Sequence, residues 1–302
     1  MLFFMVIGYE VAWIGLGFWV AENCGPNRHC LKKKCYFCEK YQQQMDNSTA
    51  MRVGILYIGI GRYACFWDEF YSSSEQYLLR DAEKHYYVFT DGNIQASERV
   101  HVFHQDDMGW PCNSLFRFKM FHRIREQLAE NDYLFFFNSN AKIVDVVEPA
   151  DILPVEHDFC AMCMADSTTG MAHESRPASL CCVAPGETDY YFSGAMNGGK
   201  ATAFLQLIEE CNKLVDAELN NGVMPVWHDE TVLNRFLIGK RVKIVRREMG
   251  KPANWSKPSK GVKVILRTKE KVLGHGWLRR YKGREHTNTW LRKLLRKCRL
   301  VK

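Results

Sequence analysis

Two rhythms of apolar residues alternate through the first half of the chain. From Met51 to Ile60 the sequence Met-Arg-Val-Gly-Ile-Leu-Tyr-Ile-Gly-Ile is a nearly unbroken apolar run ending at glycines, the pattern of a strand buried on both faces. His85–Thr90 repeats it and is closed by the turn signal Asp91-Gly92. Val100–Phe103 predicts a short third strand, and Tyr133–Phe137, aromatic or leucine throughout, a fourth. Between these runs the spacing becomes helical. Phe66–Leu79 predicts one helix, and Ser114–Leu128 another, with Leu115, Phe118, Phe121, Ile124 and Leu128 on one stripe. Strands alternating with helices predict an α/β fold built on a Rossmann-like, mostly parallel central sheet with helices on both faces. Ligands of such sheets bind beyond the carboxyl ends of the strands. That directs attention to the segments Gly59–Tyr63 and Asn138-Ser139-Asn140.

The second half is less regular. Phe159–Met164 reads as a strand and Asp166–Arg176 as a polar loop. Asp189–Met196 leads through Asn197-Gly198-Gly199 into a helix over Ala201–Leu219. Trp227-His228-Asp229-Glu230 precedes a helix carrying Val232, Leu233, Phe236 and Leu237, with Asp229 placed as its N-cap. Val262–Leu266 is a late strand. No internal repeat or low-complexity tract is present.

Composition narrows the class. The 302 residues are 47% hydrophobic and 25% charged, which fits a globular chain and excludes disorder, a coiled coil and a multi-span membrane protein. The net charge of +7 is concentrated at the end, in Arg279–Arg284 and Trp290–Arg299. Two readings of this tail stand: a solvated basic end, or a basic amphipathic helix on an anionic membrane surface, with Trp290, Leu291, Leu294 and Leu295 on one face. A nucleic-acid partner is not expected, because no fold for one appears. Of the 12 cysteines, eight follow residue 51, several inside apolar runs, which suggests buried thiols in a reducing compartment. Cys35 and Cys38 have the spacing of zinc ligands, so with Cys24 and Cys30 they offer a zinc site as the lesser reading, the spacing of the other two matching no recognised pattern. Met1–Ala21 is apolar apart from Glu10 and lacks the basic start and cleavage site of a secretory signal. It reads either as a marginal membrane segment, with Arg28 and Lys32–Lys34 holding the following chain on the cytoplasmic side, or as upstream sequence read through from a mis-assigned start. The domain expectation is therefore an extension over 1–50, a folded domain over 51–278 and a basic tail over 279–302.

Five blocks then carry a resemblance: Tyr57-Ile-Gly-Ile-Gly-Arg-Tyr63, Ser114-Leu-Phe-Arg-Phe-Lys119, Tyr133-Leu-Phe-Phe-Phe-Asn-Ser-Asn140, Asp189-Tyr-Tyr-Phe-Ser-Gly-Ala-Met-Asn-Gly-Gly199 and Trp227-His-Asp-Glu-Thr-Val-Leu-Asn-Arg-Phe236. In their order and spacing, from about Met51 to Lys271, the chain resembles the family 6 glycosyltransferases, which include the ABO blood-group transferases and the α-1,3-galactosyltransferase. The resemblance implies a GT-A fold and transfer of galactose or N-acetylgalactosamine from a UDP-sugar, in α-1,3 linkage and with retention, to a galactoside that carries fucose in some acceptors. Animal members place Asp-x-Asp after the fourth strand to hold manganese. Here the place reads Asn138-Ser139-Asn140, similar to the metal-independent bacterial branch. Neutral amides are poor ligands for a hard cation, and their NH2 groups can donate to a diphosphate or sugar. No cofactor or divalent metal is expected. Positive charge for the leaving nucleotide must then come from Arg or Lys, with Arg117, Lys269, Arg279 and Arg280 as candidates.

The resemblance also assigns roles. Ile58, Gly59, Ile60 and Tyr63 match the loop that contacts uracil. Ser193, Gly194 and Ala195 match the segment that measures the donor's C2 substituent, where alanine at the third position leans to galactose. Glu230 matches the carboxylate proposed as nucleophile or stabiliser on the sugar face opposite the diphosphate. Trp227, His228 and Asp229 match acceptor-site residues. The family's tryptophan pair near Met162-Cys163-Met164 is missing, so the acceptor does not carry over. The expected partners are UDP-galactose or UDP-N-acetylgalactosamine, an oligosaccharide or lipid-linked acceptor, and a membrane surface met through the basic tail. The expected location is the cytoplasm, at the inner face of the cytoplasmic membrane. The alternatives are a catalytically inactive relative that still binds UDP or sugar, and a protein acting through its basic tail.

Overall fold

In the computed structural model, residues 50–166, 173–246, 249–252, 261–274 and 277 are described. The apolar opening stretch, Cys24 to Cys38, Arg279, Arg280 and the basic tail lie outside them, and so do the expectations placed there.

The chain enters along β1 (Arg52–Ile58), makes a 3-10 turn over Gly61–Phe66 and runs into α1 (Trp67–Tyr77). β2 (Glu83–Thr90) and β3 (Val100–His104) follow, then three short helices, α2 (Cys112–Leu115), α3 (Arg117–His122) and α4 (Arg125–Leu128), and then β4 (Tyr133–Phe137). Next come β5 (Ala141–Ile143), α5 (Pro149–Ile152), β6 (Phe159–Asp166), β7 (Tyr190–Lys200), α6 (Ala201–Asn220) and α7 (Asp229–Leu237). β8 (Val242–Val245), β9 (Gly250–Pro252), β10 (Val264–Leu266) and α8 (Lys269–Leu273) complete the described elements. Seven strands form one sheet in the order β3-β2-β1-β4-β7-β6-β8. β1 through β4 pair in parallel, as do β6 and β8, whereas β7 runs antiparallel to both neighbours. β5, β10 and β9 form a second, small sheet. The α/β class and the mostly parallel sheet are as the apolar rhythm predicts, and the arrangement is that of a GT-A-like fold.

Alternation along the strands explains why they are apolar throughout. Val53, Ile55 and Tyr57 of β1, with Phe135 and Phe137 of β4, face a cluster that includes Trp67 and Phe70 of α1. Leu56, Leu134 and Phe136 face the other cluster, with Leu115, Phe118, Phe121, Phe204 and Val232 from α2, α3, α6 and α7. β1 and β4 thus have apolar clusters on both faces.

Two elements differ from their sequence expectation. The predicted helix Ser114–Leu128 is broken at Phe116 (φ −90°, ψ 15°) and at Ile124 (φ −118°, ψ 21°). The apolar stripe is still buried, because packing rather than propensity stabilises helices this short. The break starts a new helix at Arg117, whose side chain is 1% exposed. Asn197-Gly198-Gly199, read as the lead into the following helix, lies instead inside β7. There the Phe135 ring approaches to 2.2 Å from where a Cβ on Gly198 would stand, so glycine serves close strand contact rather than a bend. Among the described residues no helix is long and apolar enough to cross a membrane.

Candidate active site

A cleft opens beyond the carboxyl ends of β1 and β4, bordered by the start of α7. One wall is the segment after β1. Gly59 is held to β2 through its N–H, which donates to the Phe89 carbonyl at 2.9 Å, and its carbonyl, which accepts from Thr90 Oγ1 at 2.6 Å. A Cβ on Gly59 would lie 2.8 Å from the Tyr57 ring. Gly61 has φ +58°, and its N–H donates to Asp91 Oδ1 at 2.6 Å, so the Asp-Gly turn after β2 also fastens this loop. Ile58, Ile60 and Tyr63 line the cleft. Burial, and then Glu270, push the Tyr63 phenol up to about 12. Lys269, at the start of α8, places Nζ 5.4 Å from the Tyr63 ring centre and lines the same cleft.

The floor is the segment after β4. Asn138 and Ser139 line the cleft. Their backbone is fixed by the Asn138 N–H, which donates to Ala195 O at 2.8 Å, and by the Tyr57 hydroxyl, which donates to Ser139 O at 3.2 Å. Asn140 is placed differently. It is 5% exposed, does not line the cleft, and donates through Nδ2 to the Arg267 carbonyl at 2.7 Å.

The far wall is where β7 meets α7. Tyr191 donates its hydroxyl to Glu230 Oε1 at 2.6 Å, and the Gly194 N–H donates to Glu230 Oε2, also at 2.6 Å. A Cβ on Gly194 would lie 3.2 Å from Glu230 Oε2 and 3.3 Å from Asp229 Oδ2. Ser193 and Ala195, the flanking residues of this segment, are buried, and Ser193 Oγ accepts the Ala195 N–H at 3.1 Å. Arg117 ties the two elements together. Its Nη1 lies 2.8 Å from Gly194 O and 2.9 Å from Asp229 Oδ2, and its guanidinium rests 4.5 Å from the Phe136 ring centre. The sequence reading gives Arg117 to the diphosphate; in the structure its charge is matched by Asp229.

Asp229 is the first helical residue of α7 and not its N-cap, which is His228. The Asp229 carboxylate pairs with Arg117. Burial pushes that carboxyl up to about 6, Glu230 adds to the rise and Arg117 opposes it. His228 holds φ 54° and ψ −121°, a conformation that costs a non-glycine residue about 1–3 kcal/mol and is found at ligand sites. Burial brings its imidazole down to about 4, and its ring meets Trp110 edge-on at 5.0 Å. Trp227 is 48% exposed, with its backbone N–H donating to Thr231 Oγ1 at 2.8 Å.

The structure therefore brings Ile58, Ile60, Tyr63, Arg117, Asn138, Ser139, Asp229 and Lys269 to one cleft, with Glu230 and Gly194 joined to it through Asp229. Sequence reasoning missed Tyr191, Trp110, Asn113 and Asp91. Tyr191 lies within a quoted block, but only the pairing of β7 with α7 shows that it meets Glu230.

The family profile described as Glycosyltransferase family 6 matches residues 34–279. The chain belongs to glycosyltransferase family 6. It is 31% identical over 233 residues to the O-antigen biosynthesis glycosyltransferase WbnI of Escherichia coli, covering 75% of this chain and 98% of that protein. It is 25% identical over 211 residues to the human globoside alpha-1,3-N-acetylgalactosaminyltransferase 1, covering 66% of this chain and 60% of that protein. With the rat histo-blood group ABO system transferase 1 it shares 25% over 207 residues, 65% of this chain and 59% of the relative. The chain thus spans about three fifths of those mammalian relatives.

Proposed function

We propose that this family 6 glycosyltransferase is a hexosyltransferase that moves galactose or N-acetylgalactosamine from a UDP-sugar to a galactoside hydroxyl, in α-1,3 linkage, with retention and without a divalent metal. The observation that carries the reading is the carboxylate of Glu230, held at both oxygens by Tyr191 and Gly194 beside the cleft. A donor lying in that cleft presents one face of C1 to Glu230 and its diphosphate to the opposite side. As the bond from C1 to the UDP oxygen breaks, Glu230 attacks C1 or stabilises the oxocarbenium-like state. The acceptor oxygen then bonds to C1 from the side UDP leaves, displacing Glu230 as a free carboxylate where it has bonded to C1, and the acceptor's proton passes to the departing phosphate. Lys269 and the Asn138 amide supply the positive end that the leaving nucleotide needs.

The donor set supports metal independence. Asn138 and Asn140 are neutral amides, poor ligands for a hard divalent cation, and Asn140 Nδ2 is bonded to Arg267. Ala195, 5% exposed beneath the site, favours galactose over the bulkier N-acetyl sugar. The similarity to an O-antigen biosynthesis glycosyltransferase of Escherichia coli supports a lipid-linked glycan acceptor at the cytoplasmic face of the membrane.

The test is turnover of UDP-galactose and UDP-N-acetylgalactosamine against plain and fucosylated galactosides, with EDTA present. Transfer that chelation leaves unchanged supports the reading. Transfer that stops with EDTA and returns with manganese overturns the metal-free mechanism. UDP binding without transfer on any of these acceptors points to the inactive relative instead.

A further inference from the structure

The two asparagines of Asn138-Ser139-Asn140 have different surroundings. Asn138 lines the cleft, whereas Asn140 is buried at the start of the small sheet. Two bonds join Asn140 to Arg267. The Arg267 N–H donates to the Asn140 carbonyl at 2.7 Å, extending the β5–β10 ladder one step beyond the Leu266–Ala141 pair. The second bond is not a ladder bond: Asn140 Nδ2 donates to the Arg267 carbonyl at 2.7 Å. The other end of that amide, Oδ1, is buried without a hydrogen-bond partner. The side chain therefore acts through its donor end alone. Arg267 is further gripped by Glu69 of α1, which also takes Lys142 at 2.8 Å. Two residues beyond Arg267 the chain begins α8 with Lys269, over Tyr63 and in the cleft.

We propose that Asn140 is a positioning residue for Lys269: its amide anchors the backbone at Arg267 so that α8 presents the lysine to the diphosphate of the donor. Only the identity of that ligand rests on the function proposed above. An aspartate here would set a carboxylate oxygen against the Arg267 carbonyl, replacing an attraction by a repulsion. Asn140→Asp therefore does not restore a metal site; it releases the segment that does the work of the metal.

Calorimetry of UDP binding to the full chain in EDTA tests this as a double-mutant cycle. Asn140→Asp and Lys269→Met are each expected to weaken UDP about tenfold, the weight of one charge-assisted hydrogen bond. The double variant is expected to bind no more weakly than Lys269→Met alone. Losses that add, UDP affinity unchanged in Asn140→Asp, or affinity restored to Asn140→Asp by manganese would each overturn the proposal. Asn140→Ala, which removes the donor without adding charge, repeats the comparison should the aspartate fail to fold. Amide exchange over residues 264–274 in the free chain separates the anchor from the ligand. It is expected to quicken in both Asn140 variants, and unchanged exchange overturns the anchor whatever the cleft binds. A wild-type chain that does not bind UDP overturns the proposed function and Lys269's part in it, and exchange then decides the anchor by itself.

Discussion

Glu230 is oriented before any ligand arrives, because each carboxylate oxygen already accepts a bond of 2.6 Å. Preorganisation of this kind avoids reorganisation at the moment of reaction. Glu230→Gln keeps the shape and removes the charge, so transfer is expected to fall by about a hundredfold or more. UDP affinity by calorimetry should stay near wild type, and undiminished transfer would take Glu230 out of its role. Tyr191→Phe frees one oxygen, and a misplaced carboxylate costs rate rather than binding; kcat is expected to drop about tenfold with the donor KM little changed. Asp229 is expected to set the acid side of the pH profile. Its folded-state carboxyl holds a proton up to about pH 6, against 3.8 for an ordinary aspartate, so this group favours the folded state most below pH 4, and that contribution is lost as pH rises to about 6. Activity runs the other way. The pairing of Asp229 with Arg117, and through it Gly194, needs the ionised form. We expect kcat/KM to fall as pH drops through about 6, while His228, near 4, stays neutral over that range. Asp229→Asn should abolish that limb; a limb that persists assigns it to another group.

β7 shows how two glycines four residues apart serve different ends. At Gly198 a Cβ would stand 2.2 Å from a Phe135 ring carbon and 2.5 Å from the Leu134 carbonyl, and the backbone atom cannot rotate away. Gly198→Ala should cost about 1–3 kcal/mol or more and lower the melting temperature markedly. At Gly194 the nearest atoms are carboxylate groups at 3.2 and 3.3 Å, which can give by a few tenths of an ångström. Gly194→Ala should therefore keep most of the stability and lose transfer, because what shifts is Glu230 and Asp229. Thermal denaturation and turnover measured on both variants would show the division, and equal losses of stability would refute it. Neither distinction is legible in the run Ser-Gly-Ala-Met-Asn-Gly-Gly, where the glycines look alike. By contrast β1, β4 and the Tyr86–Phe89 part of β2 are plain in the sequence, because strand segments covered on both faces are nearly continuous apolar runs. The helix break at Phe116 is hidden, since the stripe Leu115–Leu128 fits one helix as well as three, and only the burial of Arg117 shows the difference. β5 and β9, three residues each, are too short to carry a period.

At the scale of the molecule, the cleft draws on segments from Ile58 to Lys269, and the strand order that unites them is not written in any one of them. The segments themselves were legible because each falls at an element's end, where the apolar pattern stops and polar residues begin. The partners were not: Tyr191 with Glu230, Arg117 with Asp229 and Asn140 with Arg267 are contacts across 39, 112 and 127 positions. Such contacts exist only in the folded chain, so the charge balance of the cleft belongs to the fold as a whole. Arg117 is matched by Asp229, the asparagines bring no charge, and Lys269 is set over Tyr63 in the loop after β1. A cleft so balanced should accept a diphosphate without a cation to bridge it. UDP at about a hundred times its dissociation constant stabilises a folded protein by about 2.7 kcal/mol. For a domain of this size that corresponds to a rise of about 5–10 °C in melting temperature. We expect the same rise in EDTA as in manganese, because the ligand's charge is met by residues that folding has already placed. A rise that appears with manganese and vanishes in EDTA would mean that the fold leaves the diphosphate short of positive charge, and that an ion completes the site.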